Sequence, residues 1–191
     1  MTNNLIHNHL DDKPLSIYVH IPWCIHKCPY CDFNSHELRN SSIKDQEQIY
    51  TDALLNQITL SADYSGRTIH SIFFGGGTPS LFSPEAINRI ILAISRQFTL
   101  ANDCEVTLEA NPGTIDKAYF KGYKDIGVNR VSLGIQSFNN IHLKSLERIH
   151  DKEQAYEAAQ WARQLFGNIN LDLMFALPNQ TKSDLIDDIK I

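Results

Sequence analysis

Three cysteines, Cys24, Cys28 and Cys31, fall within eight consecutive positions of the stretch HIPWCIHKCPYCDFNSH. Thiols this close together can bind a metal or cycle through a disulfide, and His20, His26 and His36 add imidazole donors around them. The C-x3-C-x2-C spacing would share one helix face at i, i+4 and i+7, but Pro22 and Pro29 argue against a continuous helix. A loop wrapped round a compact object suits the spacing better. Several readings compete. Structural zinc would take the three thiolates plus His26 or His36, although its usual two short cysteine pairs are not present. A dithiol site would use Cys28 and Cys31 and leave Cys24 idle. The thiols could simply fill space. An iron–sulfur cube held by three thiolates would leave one iron open to a small-molecule ligand. The fourth cysteine, Cys104, begins an expected strand on the face away from the others and reads as a buried small hydrophobe.

The elements that must hold these residues alternate between two periods. LSIYVHI (15–21) is β-branched and aromatic and stops at Pro22, which predicts a strand. From Lys44 onward Ile49, Tyr50, Ala53, Leu54 and Ile58 recur at helical steps. TIHSIFF (68–74) predicts a second strand, ended by three glycines. Ser83 and Pro84 then supply a cap and a first helical position, followed by Ile87, Ile90, Ile91 and Ile94. The cycle repeats through CEVTLEA (104–110), a helix at 115–123, NRVSLGI (129–135), and helical stretches at 139–146 and 151–165. NINLDLMFAL (168–177) predicts a fifth strand, and 181–191 opens another helix.

Strands that are each followed by helix predict parallel βα units, closed either as an open sheet or as a barrel. GGGTP follows the second strand and is not the G-x-G-x-x-G that marks a dinucleotide site, which weakens the open-sheet reading. The chain stops in a helix that has barely begun. It therefore reads as a tail over 1–14 and then, over 15–191, the N-terminal part of a longer barrel.

In a parallel βα array chemistry collects at the C-terminal ends of the strands. Those ends carry the cysteine loop, Gly75-Gly76-Gly77-Thr78, Glu109 before Asn111-Pro112, Gln136-Ser137, and Asp172 in an otherwise apolar run. Singly, each has a bland explanation: a tight turn, a helix cap, a solvated carboxylate. Their convergence on one rim is the signal. The 17 basic and 22 acidic residues give no reason to expect nucleic acid. No apolar run approaches the ~20 residues that span a bilayer, and the start MTNNLIHNHLDDKP lacks the features of a signal peptide. A cytoplasmic location is the default expectation.

With those residues in view, YVHIPWCIHKCPYCDFNSH, FFGGGTPSLF, LEANP, RVSLGIQSF and LDLMFALP resemble the radical S-adenosylmethionine (SAM) superfamily. Over essentially the whole chain the resemblance is to the oxygen-independent coproporphyrinogen III oxidase-like group and its HemW-type heme chaperone branch. It implies an α/β fold, an incomplete TIM-like radical SAM barrel truncated after about five units. By the same resemblance Cys24, Cys28 and Cys31 would ligate a [4Fe–4S] cluster whose open iron is chelated by the methionine end of SAM. Gly75, Gly76, Gly77 and Thr78 would hold that amino-acid end. Glu109 would meet the ammonium, Arg148 the carboxylate, and Gln136 and Asp172 the ribose. Tyr18 would hydrogen-bond near the cluster and Phe33 would give a backbone contact to the adenine. Taken alone, Arg148 reads as a surface charge on a helix and Tyr18 as core.

In the oxidase a 5′-deoxyadenosyl radical attacks the propionate chains of coproporphyrinogen III. Two departures from the oxidase pattern stand out: its fourth cysteine is replaced here by Phe33, and its longer N-terminal arm is missing. The chaperone branch shares both. The resemblance therefore implies heme as cargo and respiratory hemoproteins as recipients, with an electron donor and a homodimer as further associations. It also implies peripheral contact with the membrane during transfer. The oxidase reaction is the alternative. His20 and His26 are candidate heme ligands, though each reads more readily as a satisfied loop or strand histidine.

Overall fold

The computed structural model describes residues 13–38, 42–64 and 66–191. The expected tail at 1–14 lies almost wholly outside them. Its elements run β1 (Leu15–Ile21), β2 (Trp23–Cys24), β3 (His36–Glu37), α1 (Ile43–Leu60), β4 (Thr68–Gly76) and α2 (Pro84–Gln97). Then follow β5 (Thr99–Ala110), α3 (Lys117–Asp125), β6 (Arg130–Gln136), α4 (Asn140–Ser145), α5 (Lys152–Leu165), β7 (Asn168–Leu173) and α6 (Lys182–Ile189). The main sheet has the order β1-β4-β5-β6-β7, and every pair in it is parallel. Sequential order with helical crossovers is the wall of a βα barrel, not a sheet that reverses at a switch point.

Period-2 alternation gives this wall two different faces. Val19, Ile21, Ile72, Phe74, Val106, Leu108, Val131, Leu133 and Ile135 point to the helices and are buried in one continuous core. Opposite them, Tyr18, His20, Glu109, Ser132, Gln136 and Asp172 occupy the intervening positions on the inner face. The starts of α2 and α5 are capped as their sequences dictate. Ser83 accepts from the Ala86 amide with Pro84 at the first helical position, and Asp151 with Gln154 closes a capping box on α5.

Three expectations need correction. The buried face of α1 is not built on Ile49 and Ala53: Ile49 is 66% exposed, and Thr51 is buried with Tyr50, Leu54 and Ile58 partly so. On the same helix Glu47 accepts from both the amide and the hydroxyl of Ser83, so a carboxylate joins α1 to the cap of α2. β5 starts at Thr99, five residues before Cys104, which is therefore half-buried within the strand and not a fully buried residue at its start. Burial and the adjacent Asp103 and Glu105 push its thiol up. β7 ends at Leu173, short of the expected 177: Met174 N still donates to Gln136 O (2.9 Å), and the chain then leaves the sheet and reaches φ +58° at Ala176.

Candidate functional site

The cysteine loop is held at both ends before any ligand is considered. β2 pairs in parallel with β3, with His36 N donating to Pro22 O (2.7 Å) and Leu38 N to Cys24 O (2.9 Å). Lys27 Nζ reaches back to the carbonyls of Phe33 (3.1 Å) and Ser35 (3.2 Å). The glycine run after β4 passes hard against this loop: Gly77 N donates to Ile21 O and Thr78 N to Trp23 O, both at 2.8 Å. A Cβ on Gly77 would lie 2.7 Å from the carbonyl oxygens of Pro22 and Trp23, and Gly76 has φ +123° with the His20 ring in the way. Glycine is required at both positions by close approach.

These elements open onto a cavity of about 450 Å³ at the C-terminal ends of the strands, within the usual size of a small-molecule site. Cys24, Cys28, Cys31 and Phe33 enter it from the loop, and Gly76, Gly77 and Thr78 from the end of β4. Glu109, Gln136 and Asp172 line it from β5, β6 and β7, and Arg148 closes it from the turn after α4. Gly75 and Tyr18 do not line it. They stand behind, where a Cβ on Gly75 would meet Tyr18, Phe73 and the Glu109 carboxylate. The convergence expected from the sequence is thus reproduced, with those two residues as backing.

Glu109, Thr78 and Arg148 are each oriented by a neighbour. Glu109 Oε2 accepts from Gly76 N (3.2 Å), and burial holds this carboxyl above its ordinary range despite that bond. Thr78 Oγ1 donates to Cys24 Sγ (3.5 Å). Burial raises the Cys24 thiol, and hydrogen bonds from Thr78 and Ser35 work against the rise. Arg148 is not on a helix; it lies in the turn, with Nη2 donating to Gly134 O (2.8 Å) and Nη1 near Cys28 Sγ (3.6 Å) and Tyr30 Oη (3.4 Å). Its Nε is buried without a partner. Burial pushes the Tyr30 phenol up to about 12 against the opposing pull of Arg148, so it stays a neutral hydroxyl at the cavity wall. The Phe33 carbonyl already accepts from Lys27 and from Ser35 N (2.7 Å).

The two histidines considered as heme ligands are committed elsewhere. His20 Nε2 donates to Asn34 O (2.8 Å), which leaves Nδ1 to accept the Tyr18 hydroxyl (3.0 Å). His26 lies between two carboxylates, Glu37 Oε1 at 2.9 Å from Nδ1 and Glu147 Oε2 at 3.1 Å from Nε2. The residues that secure the loop were missed by sequence reasoning. Glu147, in the left-handed region at φ 53°, follows α4, ties down His26, and turns the chain so that Arg148 faces Cys28. Nothing local in the sequence announces a contact between positions 26 and 147.

The donor set fits an iron–sulfur cluster. Three soft thiols border one cavity, with a guanidinium N–H beside Cys28 and a hydroxyl on Cys24 as hydrogen-bond donors to sulfur. Among the described residues no three His, Cys, Asp or Glu side chains are gathered closely enough for one metal ion. When bound, such a cluster supplies electron transfer and an open coordination site. The chain's own residues can then receive a ligand with a positive centre near Glu109, a carboxylate near Arg148 and hydroxyls near Gln136 and Asp172.

A sequence profile of the Radical SAM superfamily matches residues 18–191. The chain belongs to that superfamily. It is 47% identical over 181 residues to the heme chaperone HemW of Haemophilus influenzae, covering 93% of this chain and 47% of that protein. It is 45% identical over 179 residues to the HemW of Escherichia coli K12, with the same two coverages. Among solved structures it superposes on coproporphyrinogen III oxidase (HemN) of Escherichia coli, a radical SAM enzyme. The TM-score is 0.84 at 31% identity, over 93% of this chain and 41% of that one. The chain spans about half the length of the curated relatives it matches.

Proposed function

We propose that this chain is the cofactor-binding part of a HemW-type heme chaperone, with residues 15–191 forming the first portion of a longer radical SAM barrel. Cys24, Cys28 and Cys31 hold a [4Fe–4S] cluster. Gly75, Gly76, Gly77, Thr78, Glu109 and Arg148 receive the amino-acid end of SAM, and Gln136 and Asp172 its ribose. Tyr18 and Phe33 complete the surround. Heme is the cargo, delivered to respiratory hemoproteins from the cytoplasmic side, with an electron donor as partner. Among the described residues no helix is long and apolar enough to cross a membrane. The observation that carries this reading is the cavity that brings three thiols, the glycine run and the side chains of Glu109, Gln136, Arg148 and Asp172 together, joined to the identity with chaperones bearing that name.

The structural likeness to HemN keeps a second reading in play, oxidation of coproporphyrinogen III. Phe33, at the place of the oxidase's additional cysteine, argues for the chaperone. Heme titration run beside a coproporphyrinogen assay on the full-length protein decides between them. Stoichiometric heme binding without turnover is expected; turnover to protoporphyrinogen would overturn the choice.

A further inference from the structure

Asp172 is the most outlying of the cavity's polar residues, on β7, which pairs on one side only within the described sheet. An exposed carboxylate on such a strand would ordinarily sample several rotamers, and a loose acceptor reads ligand hydroxyls poorly. Here it is not loose. Asn170 Nδ2 donates to Asp172 Oδ1 at 2.7 Å, and Ser132 Oγ donates to Asp172 Oδ2 at 3.3 Å. Asn170 Nδ2 also donates to Ser132 Oγ at 3.0 Å, so the three side chains form a closed triangle. The sheet builds this triangle directly. Ser132 and Asn170 are register partners across β6 and β7, and Asp172 follows Asn170 by two positions on the same face.

The chemistry of the triangle is specific. An ionised carboxylate has about four acceptor positions, two on each oxygen. One donor on each oxygen leaves each oxygen one free position, a pair suited to two neighbouring hydroxyls. Ser132 is buried and borders the cavity with Asp172. Asn170 does not border it, and acts only through Asp172.

We infer that Asn170 is a positioning residue that fixes the Asp172 carboxylate to read the vicinal diol of a ribose. This rests on the cofactor-site reading above and deepens it. The rest of the inner face offers a contrast: Glu105, one network further down the wall, is engaged with Thr107 and Asn168 and does not border the cavity. It is a carboxylate consumed by structure, whereas Asp172 is one prepared by structure.

The test uses the whole chain reconstituted with iron and sulfide, titrated calorimetrically with S-adenosylhomocysteine and with its 2′-deoxy and 3′-deoxy analogues. The wild-type chain should bind the parent ligand about tenfold or more tightly than either analogue, the value of a hydrogen bond to a charged acceptor. In Asn170→Ala the penalty for a missing hydroxyl should shrink to less than about threefold, because the freed carboxylate no longer discriminates. Ser132→Ala, checked for folding by circular dichroism, should lower the penalty for one of the two hydroxyls more than for the other. An Asn170→Ala chain that weakens all three ligands equally, or keeps the wild-type ratios, overturns the inference. Wild-type binding without diol discrimination overturns it while leaving the cofactor site standing. No wild-type binding of S-adenosylhomocysteine overturns both.

Discussion

Leu108 and Glu109 are neighbours on β5 and sit in different surroundings. Leu108 is fully buried against the helices, while Glu109 faces the cavity and accepts the Gly76 amide. The same division runs along β6 and β7, with Leu133 behind and Ser132 in front, Leu171 behind and Asp172 in front. A pleated strand gives this separation without cost, since alternate side chains must point to opposite faces. The outer face stabilises the wall by apolar burial; the inner face carries groups whose value lies in orientation. Backbone strain is confined to strand ends and turns. Among the described residues the non-glycine positions with positive φ are Gln136 at the end of β6, Glu147 after α4, and Ala176 and Asn179 after β7; of these Gln136 borders the cavity.

The largest test of this division substitutes the two neighbours in turn. Leu108→Ala should cost about 3–4 kcal/mol, a large share of the ~5–15 kcal/mol that stabilises a domain. Glu109→Gln should change stability by less than about 1 kcal/mol, since losing a charge-assisted hydrogen bond is offset by no longer burying a charge. It should nevertheless weaken S-adenosylmethionine by about tenfold or more. Urea titration and calorimetry on both variants read the two effects. Comparable destabilisation by both would erase the distinction between the faces.

A smaller effect comes from His150, buried against the end of β6 with Nε2 donating to Ile135 O at 3.1 Å. Burial first, then the charge of Arg148, lowers its pKa from 6.5 to about 4. The folded state therefore keeps it neutral where the unfolded chain takes up a proton. Stability is full above pH ~6.5 and falls toward pH ~4 with a slope approaching ~1.4 kcal/mol per pH unit. His150→Gln, which keeps a donor for Ile135, should flatten that slope in urea titrations at successive pH values. An unchanged slope would place the acid sensitivity elsewhere.

The smallest expected effect is at the strained rim. Ala176→Gly should raise stability by about 0.5–1 kcal/mol, because glycine adopts φ +58° without a Cβ penalty. A loss of stability in thermal melts would show that the left-handed turn is not strained.

Much of the wall was legible because its signals are local. The strand at 15–21 follows from β-branched residues stopped by Pro22, and α2 from Ser83-Pro84 ahead of its isoleucines. The failures occurred where apolar content outran geometry. Ile49 and Ala53 suggested a buried helix face but point to solvent, and MFAL suggested continued strand where the backbone turns at Ala176. The same holds for the site. Glu109, Gln136 and Asp172 could be found because strand ends carry chemistry. Asn170 lies two residues before Asp172, and Ser132 four before Gln136, on the same inner face, so the period-2 rule could have found them. The His26 bridge between Glu37 and Glu147 could not be found, because it joins segments 121 residues apart and depends on a left-handed turn that no local pattern marks.

The central claim is that three thiols hold a cluster with an iron left open for an amino-acid ligand. Anaerobic reconstitution with iron and sulfide, followed by reduction and EPR with and without S-adenosylmethionine, tests it most directly. A reduced [4Fe–4S] signal that changes shape on adding S-adenosylmethionine, and is lost in Cys24→Ala, Cys28→Ala and Cys31→Ala but kept in Cys104→Ala, is the predicted result. Zinc retained by the same thiols and resistant to replacement by iron, or a cluster signal indifferent to S-adenosylmethionine, would contradict it.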